Sequence, residues 1–368
     1  MPVKVLVISN YRSTHTMRPE AEMFISLKNA GIDVNVMTYG DAEYAERFRE
    51  AGIAVIDFHP EKKFDKEEIQ RIREELIRGN YQVLHLFNSK AIINGIRAAK
   101  GLNVKVVLYR GYTGNIYWWD PSAYLKYLHP RVNKIICIAQ SVEDHLRKAL
   151  IYGKSKTIVI NKGHLTQWYE EVMPANLSEF GIKEEDFVLA CVANARPMKG
   201  IPWFIKAIGL LNSDLPLHFL LIGNDLLDEQ ISKLLKSNKN KDKIHFTGFR
   251  KDALSLVKAS RVFVLPSVKG EATTKAVIEA MSMEICPLIT DIAGNRELVI
   301  HKECGLVVPK KDPQALADAI MELYHHPETC KSYGMQAKKH IENRFNLKDS
   351  VVKTKRLYED LAGRDDNS

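Results

Sequence analysis

Short apolar runs alternate with longer amphipathic stretches along this chain. The first run, VKVLVIS at residues 3–9, precedes a polar loop and then RPEAEMFISLKNAG, whose apolar positions recur at helical spacing up to Gly31. IDVNVMTY is the next predicted strand, and YQVLHLFN, VKVVLYR, KIICIAQ and KTIVINKG follow, most of them separated by helical stretches such as SVEDHLRKALI. Strands that are apolar along their length and alternate with helices predict parallel sheets covered on both faces. The pattern blurs from His164 to about residue 185, then restarts with FVLACVANARPMKG, LHFLLIGN, KIHFTGFR, VFVLPSV and CPLITDI. The reading is therefore α/β, with two Rossmann-like halves joined through residues 164–185. At 368 residues the chain exceeds one ordinary core and suits two domains. The expected boundaries are 1–165 for the first domain and 166–345 for the second, with a helical segment at 346–368 that ends in a frayed tail, RDDNS.

Composition narrows the class. Apolar residues at 45 % and charged residues at 27 % suit a soluble globular protein. No apolar run approaches the roughly 20 residues of a membrane-spanning helix. The start, MPVKVLVISN, reads as a strand and is too short and wrongly flanked for a signal peptide, so a cytoplasmic location is expected. Five scattered cysteines without a C-x-x-C pair are expected to be reduced packing thiols. The net charge is +8, and from Arg97 to Lys134 seven basic residues accompany a single acid, Asp120. Such a run is a solvated face or a surface for anionic membrane at the inner face of the cytoplasmic membrane; nucleic acid is not expected, because no binding motif accompanies the charge.

In open α/β sheets ligands sit outside the carboxyl ends of the strands, and two facing sheets would form a cleft there. The loops after strands therefore hold the candidate chemistry. After VFVLPS comes EATTKAVIEAMSM, with Glu271 in the loop, Thr273 or Thr274 as N-cap of a helix, and Glu279 inside that helix. The free N–H groups of the first turn favour an anion. Lys275 in that turn is unfavourable for the helix alone and makes sense beside a phosphate. At about 1.5 Å per residue Glu279 lies roughly 8 Å further along, the span from a diphosphate back to a ribose. After another strand, NARPMKG places Arg196 and Lys199 where they could stabilise a leaving diphosphate.

With these elements in place, the second half resembles the retaining nucleotide-sugar glycosyltransferases of family four, with the two-domain GT-B fold. Glu271 and Glu279 match the family's E-x7-E element, and AMSMEICPLITDIAGNRELV, including Gly294–Asn295, is similar to its continuation. FTGFRKDALSLVKASRVFVLPS is similar to the stretch that packs on the nucleotide base in relatives, here including Gly248 and Phe249. RFNLKDSVVKTKRLYEDL resembles the terminal helix that returns to the first domain. The resemblance implies that Glu279 holds the ribose hydroxyls, Glu271 the donor sugar, Lys199 the phosphates, and the amides of Ala272, Thr273, Thr274 and Lys275 the diphosphate. The family's arginine more often lies upstream, where Asn194 stands, so Arg196 supplies that charge from a shifted position or the role is partly lost. EATTK replaces the family's glycine-rich run.

The first half departs further from the pattern. Asn10 and Arg12 stand where relatives often have paired glycines, and either contact phosphate or belong to a plain loop. Arg110–Gly111 takes the place of a histidine found in many relatives, so no catalytic histidine is carried over. Trp118 and Trp119 offer flat apolar surface, with buried packing expected ahead of sugar stacking, and His85 and His129 are expected to be structural.

The expected reaction moves a sugar from a UDP-sugar or GDP-sugar to the hydroxyl of a glycan or lipid-linked acceptor, with retention, as in bacterial lipopolysaccharide or polysaccharide synthesis. No cofactor is expected, and the lack of a D-x-D triplet argues against a metal-bridged diphosphate. A nucleotide-sugar epimerase or a non-catalytic sugar-nucleotide-binding protein of the same fold is the alternative. A nicotinamide enzyme is disfavoured, since G-x-G-x-x-G is missing after the first strand.

Overall fold

A computed structural model describes residues 2–12, 14–150 and 153–363; Ser13 of the loop after the first strand and the expected tail at 364–368 lie outside it. Thirteen strands form two separate sheets among the described residues. The first holds β1 (Lys4–Ile8), β2 (Asp33–Thr38), β3 (Ala54–Asp57), β4 (Val83–Leu86), β5 (Lys105–Arg110), β6 (Val132–Cys137) and β7 (Thr157–Val159) in the order 3-2-1-4-5-6-7. The second holds β8 (Phe187–Val192), β9 (Leu217–Ile222), β10 (Ile244–Gly248), β11 (Val262–Leu265), β12 (Cys286–Thr290) and β13 (Leu306–Val308) in the order 10-9-8-11-12-13. Every pairing between these strands is parallel.

The chain divides into two compact units, Met1–Gly163 together with the chain from Phe345 onward, and His164–Arg344. In the second unit, alternate residues of β8, β9 and β11 bury Leu189, Phe219, Leu221 and Val264 against the helices Ile201–Leu210 and Pro313–His325. Phe204 and Phe219 meet edge to face at 5.9 Å inside that layer. In the first unit the terminal helix Leu347–Leu361 covers the sheet. Its Tyr358 is fully buried with the hydroxyl 2.7 Å from His85 Nδ1, and its Ser350 hydroxyl donates to the Asn161 carbonyl at 2.7 Å.

Three features differ from the sequence reading. β3 and β13 were not anticipated, because one is half exposed and the other only three residues long. The first helix starts at Thr14, so Pro19 lies inside it and forgoes one backbone bond there. Residues 164–185, read as the connection between the halves, contain only single turns, at Thr166–Tyr169 and Ser178–Phe180. The C-terminal helical stretch is two helices, Pro327–Arg344 and Leu347–Leu361, the second started by the Asn346 side chain accepting from the Asp349 amide at 2.8 Å.

Candidate active site

In the second sheet β8 lies between β9 and β11, and the chain leaves its central pair of strands in opposite directions. Such a reversal opens a crevice at the carboxyl ends of the two strands. The loop after β8 carries Asn194, Arg196 and Lys199; the loop after β11 carries Ser267 and Glu271. The loops touch through backbone, since the Val268 amide donates to the Met198 carbonyl at 2.8 Å. Gly200, at φ +71°, makes this approach possible: a Cβ there would overlap the Pro266 carbonyl oxygen. A third loop closes in the same way, for a Cβ on Gly294 would lie 2.5 Å from the carbonyl oxygens of Glu271 and Ala272.

Glu271 is the centre of the crevice. Its Oε1 accepts from Lys199 Nζ at 2.5 Å and from the Ser267 hydroxyl at 2.8 Å, and its Oε2 accepts from the Thr274 hydroxyl at 3.2 Å. The Lys199 and Glu271 side chains are only 13 % and 9 % exposed. Desolvating two charges costs about as much as their attraction returns, so a nearly buried pair is a poor stabilising device.

The helix Lys275–Ser282 starts in this crevice, with Thr274 as its N-cap residue in extended conformation. The Thr274 hydroxyl points to Glu271, and no side chain caps the helix. Lys275 occupies the first helical position and pairs with Glu279 one turn on, both about three-quarters buried or more. A lysine at the positive end, four residues ahead of its glutamate, is the unfavoured orientation of such a pair. Amides without a side-chain cap favour an anion at this end. Ala272 and Thr273 are buried beside it, and the Thr273 hydroxyl and Asn295 Oδ1 are buried without a hydrogen-bond partner among the described residues. Ser267 was not singled out by sequence reading, although it stands directly after the strand–Pro signal, whereas Asn295 was named with Gly294 in the loop that resembles the family pattern.

The remaining candidates are more dispersed. Asn194 and Arg196 are exposed; the Asn194 carbonyl accepts from the Arg196 amide at 2.7 Å, and Arg196 lines a surface groove with Trp203, Asp228 and Lys311. Gly248 ends β10 at φ +67°, and its carbonyl accepts from the Gly223 amide at 2.9 Å. Phe249 follows at 66 % exposure, an accessible flat ring at the carboxyl edge of the sheet.

In the first unit, Asn10 and Arg12 lie after β1. The Asn10 side chain accepts from the Arg12 amide at 3.0 Å, and the Arg12 guanidinium sits 3.5 Å over the Tyr39 ring and 3.8 Å from Asp41. Arg110 is buried, donates to the Gly114 carbonyl and stacks 3.6 Å from the Tyr112 ring, so its guanidinium holds the loop that begins at Gly111. Trp118 and Trp119 correct the expectation of buried packing: they are 52 % and 62 % exposed, and Ile116 is the residue of this loop that packs inward. His85 is fully buried, and burial lowers its pKa to about 3. His129 is held down by burial and then by Arg97, Lys156 and Arg131. Both are structural. All five cysteines are free and buried, with burial pushing the thiols of Cys137 and Cys191 up to about 12, which makes them inert packing groups. Among the described residues no helix is long and apolar enough to cross a membrane.

Residues 173–340 match the glycosyl transferases group 1 family and residues 21–166 match glycosyltransferase family 4. A UDP-Gal:alpha-D-GlcNAc-diphosphoundecaprenol alpha-1,3-galactosyltransferase of Escherichia coli is 25 % identical over 305 residues, 78 % of this chain and 77 % of that protein. The chain spans only 53–63 % of the length of three further curated relatives, from Bacillus subtilis and Methanocaldococcus jannaschii. A glycosyltransferase structure from Rickettsia africae has a TM-score of 0.84 at 18 % identity, with 100 % of both chains covered. HepE of Anabaena, solved in complex with UDP-glucose, has a TM-score of 0.74 at 17 % identity, covering 98 % of this chain and 99 % of that one. The fold and the two matched regions agree: this chain belongs to glycosyltransferase family 4, with the GT-B architecture.

Proposed function

We propose that the protein transfers a sugar from a nucleoside-diphosphate donor to an acceptor hydroxyl, with retention, in the synthesis of a bacterial surface glycan. The observation that carries this reading is the Lys199–Glu271 pair beside the uncapped start of the helix Lys275–Ser282. The diphosphate would lie on the helix amides and Lys199. Glu279, further along the helix, would accept from the ribose hydroxyls, and Glu271 would orient the sugar. The C1–O bond to phosphate breaks as the bond from C1 to the acceptor oxygen forms. The acceptor proton passes to the leaving phosphate oxygen, so no enzymic nucleophile is required. Positive groups near the diphosphate stabilise the charge that develops there. Relatives support the substrate class: HepE is solved with UDP-glucose, and the E. coli relative is named for a UDP-galactose donor and a lipid-linked sugar acceptor. In the same reading the first unit receives the acceptor, and the protein works in the cytoplasm at the inner membrane face.

The test is release of nucleoside diphosphate from a panel of UDP-sugars and GDP-sugars, with and without mixed lipid-linked glycan acceptors and with and without a chelator. Acceptor-dependent release that survives the chelator is the expected result. Release needing magnesium or manganese would refute the metal-independent part, and conversion of the donor to an isomer would favour an epimerase.

A further inference from the structure

Beyond β5, residues 111–125 lie at the carboxyl edge of the first sheet, the edge at which doubly wound sheets take ligands. Tyr112, Tyr117, Trp118, Trp119 and Tyr124 are all exposed there, each by 39 % or more. Contiguous aromatic surface of this kind normally marks a binding site. Its exposure is built into the loop. Arg110 is buried and fastens the Gly114 carbonyl, Ile116 is buried, and the Tyr124 hydroxyl donates to the Trp118 carbonyl at 2.8 Å. Gly114 and Asn115 take consecutive positive φ values of 95° and 58°, which make a tight turn before the buried Ile116. Tyr117 packs edge-on against His145, its ring centroid 6.0 Å away.

The rings form a corner. Tyr117 and Trp119 stack at 4.7 Å and 20°, and Trp118 stands at 90° to Trp119 with centroids 5.7 Å apart. We infer that this corner binds pyranose rings of a glycan acceptor, an inference that rests on the transferase reading above. A pyranose presents flat C–H faces with hydroxyls around the rim, and those C–H groups suit the electron-rich faces of indole and phenol. Asp120 and Ser122, joined to each other at 2.9 Å, stand next in the chain as polar groups for the rim. Because the loop is fastened beforehand, little ordering cost opposes binding.

An anionic lipid surface would find few cations beside the rings, Lys126 after the turn Pro121–Leu125 and Lys148 near His145. Arg97, Lys100, Lys105 and Arg131 lie toward the amino edge of the sheet, roughly 17 Å away by the rise of β5. Two of them are engaged there, Arg131 with the Leu102 carbonyl at 2.9 Å and Arg97 with the Ile93 carbonyl at 2.9 Å.

The experiment titrates the full chain with maltotetraose, chitotetraose and β-1,3-linked galactotetraose, read by tryptophan fluorescence and saturation-transfer NMR. Thermal shifts with UDP and GDP run in parallel, as does sedimentation with vesicles of phosphatidylglycerol and phosphatidylethanolamine in equal parts. At least one oligosaccharide should bind, Trp118→Ala and Trp119→Ala should each weaken it about tenfold, and Trp119→Phe should restore part of the loss. Melting temperature and nucleotide shifts should be unchanged in these variants. Binding of none of the oligosaccharides, or binding indifferent to both alanine variants, overturns the platform, as does vesicle binding that the same variants abolish. If UDP and GDP bind while every oligosaccharide fails, the platform falls and the transferase reading stands. If oligosaccharide binding follows the variants while neither nucleotide binds, the reverse holds.

Discussion

Glu271 accepts from three donors drawn from three places: Lys199 after β8, Ser267 after β11, and Thr274 at the head of the helix. Among the described residues the Glu279 carboxylate has one partner, Lys275. The two acids therefore differ in what their loss does. Glu279→Gln removes a charge that would meet two ribose hydroxyls, and charge-assisted bonds contribute about 1.5–3 kcal/mol, so free nucleotide should bind roughly 10 to 100 times more weakly. Glu271→Ala should leave nucleoside diphosphate affinity within a few-fold while lowering turnover by about a hundredfold or more. Calorimetric titration with UDP and GDP, beside initial rates, separates the two; equal loss of nucleotide affinity in both variants would sink the assignment. The glycines act at the same scale but through sterics. Gly200→Ala would push a methyl into the Pro266 carbonyl at a left-handed φ, so the loops bearing Lys199 and Glu271 would separate. Its rate should fall together with a melting temperature lower by several degrees, and an unchanged melting temperature would contradict the close approach.

Between elements, the fastening of the terminal helix Leu347–Leu361 to β4 turns on His85 and Tyr358. Burial is the cause of the low His85 pKa, about 3 in the folded protein against about 6.5 when unfolded. Above pH 6.5 both states are neutral and nothing is lost. As pH falls from 6.5 toward 3 the unfolded chain takes up a proton that the folded one refuses, so stability drops, by up to about 1.4 kcal/mol per pH unit from this group. His85→Gln removes the titration and keeps a polar side chain for Tyr358. Urea midpoints taken from pH 7 to pH 4 should decline less steeply in the variant; parallel slopes would refute the mechanism. Sequence alone made much at this scale legible. The interior strands stood out because both their faces are buried, as in β4 and β11, where every residue is apolar or covered. The edge strands β3 and β13 did not, since short or half-exposed strands carry no such run. Helix-start chemistry placed Thr274, Lys275 and Glu279, whereas the contact of Gly200 with Pro266, the Ser267 hydroxyl on Glu271 and the exposure of Trp118 and Trp119 depend on where distant segments meet. Local spacing carries no record of such meetings.

For the whole molecule, the notable feature is that the first unit is assembled from both ends of the chain. Its sheet comes from residues before Gly163, but a covering helix comes from beyond Phe345. That helix buries Leu347, Val351, Leu357 and Tyr358. Each such side chain contributes about 1.5–3 kcal/mol, so together they amount to much of the 5–15 kcal/mol that holds a typical domain. Removing the helix would also leave His85 Nδ1 and the Asn161 carbonyl without the Tyr358 and Ser350 hydroxyls. The second unit loses none of its sheet or its core cluster by the same cut, since these end before Arg344. A chain stopped after Asn346 should therefore lose hydrogen-exchange protection in β1, β4 and β5 by at least a hundredfold, while β8, β9 and β11 keep theirs. UDP or GDP should still raise the melting temperature of that second unit, because Lys199, Glu271 and Glu279 all lie within it. Equal protection of β4 in the full and shortened chains would show that the helix is dispensable for the first unit.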